Sequence, residues 1–538
     1  MISRPSEKRK MAANVNLDAL IPREDFLVET NGAEAPEKAS IQISELENNA
    51  FFFGAVRKPD FQRETAEWEP KRVIGLIRTF VNAELIPAVI LWKNRELLFV
   101  IDGSHRLSAL IAWVQDDYGD ETRSQEFFNH SIPEEQIKVA VKMREMVEAE
   151  FGSYQDHKAA IADPSKYGPD LVARARRFGS LGLALQWVRG DATTAEASFV
   201  RINQQAAMIT PQELELIKSR KKPHAIAARA IKSRGTGHKY WASFESREQR
   251  EIQTLATELH DLLFVPPLRY PIKSLDIPAG GSVYSGPSLR MIYDFITLAV
   301  DTVSTEDDAT GVKTIEYLKR CKRVMLLTLS HHESSIGLMP AVYFYSWTGN
   351  QQPILFLTMV SLLIDYDRAR KLDEFTDRRE EFENFLLVNR TLTAQVIRKF
   401  GTKDSGLKHL KDFYREVLNC VGNGVPGSAI VSTLQSLPGY GYLQPDESPY
   451  DGVAPTRMST PVRAGLTMKK LLETAHRCNL CGGFVPSQSV SIDHIERVED
   501  GGLSTHDNTQ ITHPYCNSGY KERKHLLTIS SRNSEMAK

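Results

Sequence analysis

The chain has 538 residues, with 67 Lys and Arg against 68 Asp and Glu, a formal net charge of −1, 41% hydrophobic residues and 25% charged ones. That balance excludes a basic nucleic-acid coat and marks a globular protein, long enough for about three domains at roughly 100 to 200 residues each. Any contact with DNA must come from local patches, such as Lys218, Arg220, Lys221 and Lys222, or Arg463, Lys469 and Lys470.

The N-terminal stretch MISRPSEKRKMAANVN is charged and lacks an apolar core, so it does not read as a secretory signal, and residues 1–45 are expected to form an arm. From residue 59 the pattern becomes regular. Val73, Ile74, Ile77, Phe80 and Val81 fall on one face of a helix, and Ala88 to Trp92 and Leu97 to Ile101 read as two short strands joined at Lys93 to Glu96. The turn Asp102-Gly103-Ser104-His105-Arg106 then lies between a strand and an apolar helix carrying Leu107, Leu110, Ile111 and Val114. A glycine turn at a helix start presents backbone N–H groups and the positive end of the helix dipole, and His105 and Arg106 add donors that reach phosphate oxygens. Asp102 is suited to hold a metal or to orient the arginine.

Phe61-Gln62-Arg63, Trp68, Ile86-Pro87 and the DGSHR turn together resemble the ParB/sulfiredoxin-like domain of GmrSD-type restriction enzymes and of SspE, where the turn is usually DGQQR or DGQHR. Downstream, Phe199 to Asn203 and then Ile209-Thr210 with Glu213-Leu214 match the same family's later signature; Thr210 to Glu213 is also a capping box with Pro211 at the first helical position. The resemblance assigns residues 46–221 to a nucleotide-sensing domain of α+β type. It implies binding of a nucleoside triphosphate (NTP) through Asp102, Gly103, Ser104, His105, Arg106, Arg63, Arg201 and Asn203, and often its hydrolysis, to control an attached nuclease. Ser104 stands where the family usually has glutamine; its hydroxyl can still bond a phosphate but reaches less far. Retention of the domain only to grip DNA is the competing reading.

Residues 222–420 read as a mostly helical domain, with amphipathic spacing at Leu372, Phe375, Phe382, Phe385 and Leu386. The apolar stretches around Leu338 to Trp347 and Ile354 to Ile364 are each shorter than the ~18 residues of a membrane span and read as buried core helices, so no membrane partner is expected. GTGHKYW (235–241) reads as a packing cluster at a helix start or as a base-stacking element. His331-His332-Glu333 sits on divergent helical positions and is assigned no metal. Cys321 and Cys420 read as reduced, buried thiols, pointing to a reducing, cytoplasmic compartment. Residues 421–462, dense in Gly, Pro and Ser, read as a long linker that tethers residues 463–538.

In that last segment Cys478 and Cys481 form one knuckle (RCNLCGG), and His513 and Cys516 form a second pair (THPYCN). Three thiolates and an imidazole suit a closed tetrahedral structural Zn²⁺ site that leaves no open position for chemistry. Between the pairs, a strand from Val490 to Ile492 delivers Asp493 and His494 to a turn, and Gly501-Gly502 opens a loop toward Asn508. This ordering resembles the HNH (ββα-metal) endonucleases over about residues 470 to 525. Carried over, it implies His494 as general base, Asn508 as the residue bracing the loop of that histidine, and Asp493 and Asn517 as ligands of one catalytic Mg²⁺ or Mn²⁺. Asp493 thus belongs to both the catalytic and the metal set.

The fold expected is a multidomain α+β chain: a ParB/sulfiredoxin-like domain, a helical middle and a zinc-stabilised ββα-metal module. The function expected is a divalent-metal-dependent HNH DNA endonuclease under NTP control, restricting foreign or modified phage DNA. The alternative is a nucleotide-switched DNA-binding protein whose zinc module grips DNA without cutting it. One HNH centre per chain suits nicking by a monomer, or double-strand cleavage by a homo-oligomer.

Overall fold

The computed structural model describes residues 15–26, 37–60, 62, 68–128, 130, 132, 134–206, 215–216, 218–236, 240–265, 277–283, 287–346, 348–445 and 460–525. They divide into two compact units, residues 1–221 with 236–243, and residues 222–235 with 244–538.

The first unit is built on a six-stranded mixed sheet of β1 (Arg23–Glu24), β2 (Ser40–Gln42), β3 (Val56–Pro59), β4 (Val89–Asn94), β5 (Leu97–Asp102) and β6 (Gly182–Val188), in the order β1-β3-β5-β4-β6-β2. β4 and β5 form an antiparallel hairpin whose turn holds Arg95 at φ 53°. β5 is apolar on both faces because both are covered. Leu98 and Val100 join the larger core, while Phe99 and Ile101 pack on the other side with Phe26, Trp92, Ala195 and Phe199. The helix Pro70–Val81 starts with proline at its first position and buries all five apolar residues of its expected stripe.

Part of the stretch read as an arm is integral to this unit. Val15, Leu17, Leu20 and Ile21 are buried in the core, and residues 15–26 and 37–45 supply both edge strands. They also bring in Asp18, whose carboxylate accepts hydrogen bonds from Arg23 and from the fully buried Lys58. Burial would raise the Asp18 pKa, but the two cations outweigh it and hold the carboxyl well below its ordinary range.

The second unit is a helical body with a small antiparallel hairpin, β7 (Ser491–His494) with β8 (Thr509–Thr512). The helix Pro353–Arg368 is buried continuously from Ile354 to Ile364, so it is a core helix. The other apolar stretch is not: Pro340–Tyr343 makes a single turn, and Tyr345 then bridges Gln351 as extended chain. His331 to Glu333 lie in a turn beyond the helix Val312–Thr328 instead of on it. Within the Gly- and Pro-rich segment, Gly427–Ser436 is a helix that buries Ile430, Val431 and Leu434. Residues 446–459 and the GHK part of GTGHKYW (237–239) lie outside the described residues. Cys321 and Cys420 are buried free thiols. Among the described residues no helix is long and apolar enough to cross a membrane.

Residues 460–525 do not hang from a tether. Tyr515 and Arg523 bond Asp373, Tyr520 bonds Asp377, and the backbone N–H of Tyr515 donates to the Ser335 carbonyl. The module and the helical body are one folded unit.

Candidate metal centre and nuclease site

The Cys478, Cys481, His513 and Cys516 ligand atoms lie within 4.8 Å of one another, and all four residues are buried. The knuckle is shaped by backbone bonds from Cys478 N to Gly483 O at 2.8 Å and from Gly482 N to Cys478 O at 2.9 Å, with Gly482 at φ 67°. His513 follows β8, and Cys516 sits in the helix of residues 514–525, whose 516–520 turn is π-wound. The His513 Nε2–H donates to the Phe484 carbonyl at 3.0 Å, which turns Nδ1 toward Cys481 Sγ at 3.4 Å and Cys516 Sγ at 3.8 Å. Hydrogen bonds from Cys481 and Cys516 hold the Cys478 thiol below its ordinary pKa, while Cys481 is pushed up to about 12, first by its bond to Cys478. A divalent cation would bind these thiols by displacing their protons. Burial first, and then Arg379, keeps His513 neutral and able to ligate. The donor set fits a closed structural zinc site.

Beneath this cluster lies an ion pair that no motif announced. Arg379 and Glu383, 1% and 0% exposed, pair at 2.8 Å. Arg379 donates to the carbonyls of Gly337 and Phe484, and Glu383 accepts from Phe484 N at 2.7 Å and Tyr343 Oη at 2.9 Å. Phe484 thus joins the knuckle, the His513 ring and the helical body through its two backbone groups. A side chain at Gly337 would come within 2.7 Å of the His513 ring.

On the hairpin, strand alternation places Asp493 and His494 on opposite faces of β7. The strand stays regular through His494, so the expected bend comes after it. His494 Nε2 is 2.8 Å from Ser504 Oγ. Asn508 closes the intervening loop: its Oδ1 accepts from Glu496 N at 2.7 Å, and its Nδ2 donates to the carbonyls of Glu496 at 3.1 Å and Leu503 at 2.9 Å. A Cβ on Gly502 would strike the Glu496 carbonyl at 2.1 Å, so glycine is required there. On the other face, Asp493 is buried and accepts from Gln510 Nε2 at 2.8 Å and from Lys521 Nζ at 2.9 Å. Asn517 Nδ2 donates to Ser491 Oγ and the Ile492 carbonyl, which places its amide beside the Asp493 strand.

In the first unit, Gly103 caps the helix Ser104–Gln115 at φ 95°, and no side chain caps the first turn. A Cβ at Gly103 would meet Arg106 Nη2 and Val89 Cγ2, both at 3.1 Å. Arg106 bonds the Asp102 carboxylate and donates to the Pro87 carbonyl at 3.0 Å, which brings Ile86-Pro87 and the turn together. The Trp68 and His105 rings stack at 5.3 Å. Ser104 is buried. Arg201 is exposed on the helix Ala192–Ala206; among the described residues no hydrogen bond or ion pair joins it to the turn. Arg63 lies outside the described residues, as does the side chain of Asn203. Arg220 is held by Glu196 at 3.0 Å and is not a free phosphate ligand.

Sequence reasoning passed over Ser504, Gln510, Lys521 and the Arg379–Glu383 pair. Only Lys521 carried a local signal, four positions after Asn517 on the same helix face.

Two family models match the chain: GmrSD restriction endonuclease, N-terminal domain, over residues 43–220, and HNH endonuclease over residues 478–523. Nothing matches among curated proteins or among solved structures. The chain therefore carries a region similar to a GmrSD restriction endonuclease N-terminal domain and, after it, one similar to an HNH endonuclease, a pairing that supports a DNA-cleaving hydrolase.

Proposed function

We propose a divalent-metal-dependent restriction endonuclease of cytoplasmic defence against foreign DNA, in which the N-terminal domain binds an NTP and sets the activity of the HNH site. The observation that carries the nuclease half is the hairpin itself, with the Asn508 amide making three bonds to the loop beyond His494. Ser504 engages Nε2 of His494, leaving Nδ1 as the nitrogen that takes the proton from the attacking water. Asn508 keeps that imidazole in place by holding the chain that carries Ser504. Asp493 and Asn517 offer oxygen donors beside one strand and would hold Mg²⁺ or Mn²⁺, which offsets charge on the scissile phosphate and the leaving oxygen. The Cys3His cluster would hold zinc and keep the hairpin on the helical body.

For the NTP half, the support is the uncapped first turn at Gly103, with Arg106 oriented by Asp102 beside it. Arg63, Arg201 and Asn203 belong to the same proposed site. Recognition of modified DNA and action as a homo-oligomer extend the proposal.

Incubating purified protein with plasmid and Mg²⁺, with and without each NTP, tests both halves. Cleavage that falls at least ~10²-fold in His494→Ala supports the base assignment. DNA binding without cleavage would favour the non-cutting alternative.

A further inference from the structure

Lys521 makes the most enclosed ionic contact of the nuclease hairpin. Its Nζ lies 2.9 Å from Asp493 Oδ1 and 3.0 Å from Oδ2, and it also donates to the His494 carbonyl. Gln510 supplies a third donor to the same carboxylate at 2.8 Å. The side chains of Lys521 and Asp493 are only 17% and 6% exposed. Lys521 follows Asn517 by four residues, so both reach β7 from one helix face, Asn517 at Ser491 and the Ile492 carbonyl and Lys521 at Asp493 and the His494 carbonyl.

We propose that Lys521 is the resident cation of the Asp493 carboxylate and that it alternates with the divalent ion: seating the ion drives the ammonium off Asp493 and hands it to the DNA phosphate. This rests on the reading of Asp493 and Asn517 as ion ligands. An ionised carboxylate has about four lone-pair sites, and most of them are already taken here. Two cations on one nearly enclosed carboxylate repel with little screening, so the ion and the ammonium compete. The ammonium ends a flexible four-carbon stem and can leave without moving the helix. The one strong anion that arrives with the substrate is its phosphate backbone. Metal loading would thus create a phosphate-binding group, so that ion and DNA reinforce each other's binding. A lysine that merely clamps β7 would make no such link.

The test is Mn²⁺ titration calorimetry on the full, zinc-loaded chain. Lys521→Met should raise Mn²⁺ affinity at least tenfold, and Lys521→Arg should leave it at or below that of wild type. Unchanged or weakened affinity in Lys521→Met overturns the inference. Should that variant lose its zinc, Lys521→Gln carries the same expectation. Asp493→Ala separates the two layers: if it binds Mn²⁺ as wild type does, the ion-ligand reading fails and this inference with it. If Asp493→Ala abolishes binding while Lys521→Met changes nothing, the inference alone fails. In a His494→Ala background, Lys521→Met should weaken duplex binding several-fold with Mn²⁺ present and leave it unchanged without; equal weakening in both conditions would overturn the exchange.

Discussion

Glu383→Gln keeps the shape of the side chain and removes only its charge. Arg379 would then remain a guanidinium at 1% exposure with carbonyl partners and no counter-ion. Glu383 now accepts on both oxygens, from Arg379 and Tyr343 on one and from Phe484 N on the other. An amide must turn its NH2 toward one of these donors. Breaking a buried pair from one side costs about 3 to 5 kcal/mol. With a urea slope of about 3 kcal/mol per M for a unit of this size, the midpoint should fall by roughly 1 to 1.7 M. Because Phe484 links this pair to His513, zinc should leave in the same transition. Urea titration with a chromogenic chelator reporting released zinc measures both. The double variant Arg379→Met, Glu383→Leu should recover most of the loss, since no charge is left stranded. A midpoint within about 0.3 M of wild type for Glu383→Gln, against the roughly 1 M expected, would refute the reasoning.

Cys516→Ser should eliminate the roughly one zinc per chain and the ~10 to 16 kcal/mol of binding that holds the knuckle; metal analysis decides, and a retained zinc would sink the site. Arg106→Ala should weaken NTP binding by about ten- to a hundredfold, the equivalent of ~1.5 to 3 kcal/mol for a charge-assisted contact, as read by labelled-nucleotide titration. Equal affinity in the variant would leave Arg106 as a clamp between Asp102 and Pro87. His157 is wedged against Trp113 and Phe178, and burial lowers its pKa from 6.5. The unfolded chain therefore takes up a proton that the folded unit resists, and the stability of the first unit should fall as pH drops below about 6.5. His157→Gln should flatten that slope in urea midpoints measured between about pH 7 and pH 5, and an unchanged slope would assign it to other groups.

What the sequence made legible was local. The apolar stripe of Pro70–Val81, the β4–β5 hairpin and the glycine-capped helix after Asp102 are each written within a dozen residues, and the structure builds them as expected. The order of Cys, Asp-His, Asn and Cys-Asn likewise identified the hairpin. Pairings across long separations were not legible: Glu383 meets Phe484 over 101 residues, and neither looks special alone. Composition misled in two places. Gly, Pro and Ser around residues 421–445 disguised the helix Gly427–Ser436, whose Ile430, Val431 and Leu434 recur at helical spacing. A polar N-terminus likewise concealed edge strands, because two- and three-residue strands leave no period to read.

Asp373 and Asp377, one turn apart, hold Tyr515, Tyr520, Arg523 and Lys524 between them. Those four residues flank Asn517 and Lys521 on a single helix. The Asp493 face of the hairpin is therefore anchored to the helical body through this helix, while the exposed loop beyond His494 is closed by the Asn508 amide. Because Lys521 bonds both the Asp493 carboxylate and the His494 carbonyl, a shift of that helix against the helical body would be felt at both residues together.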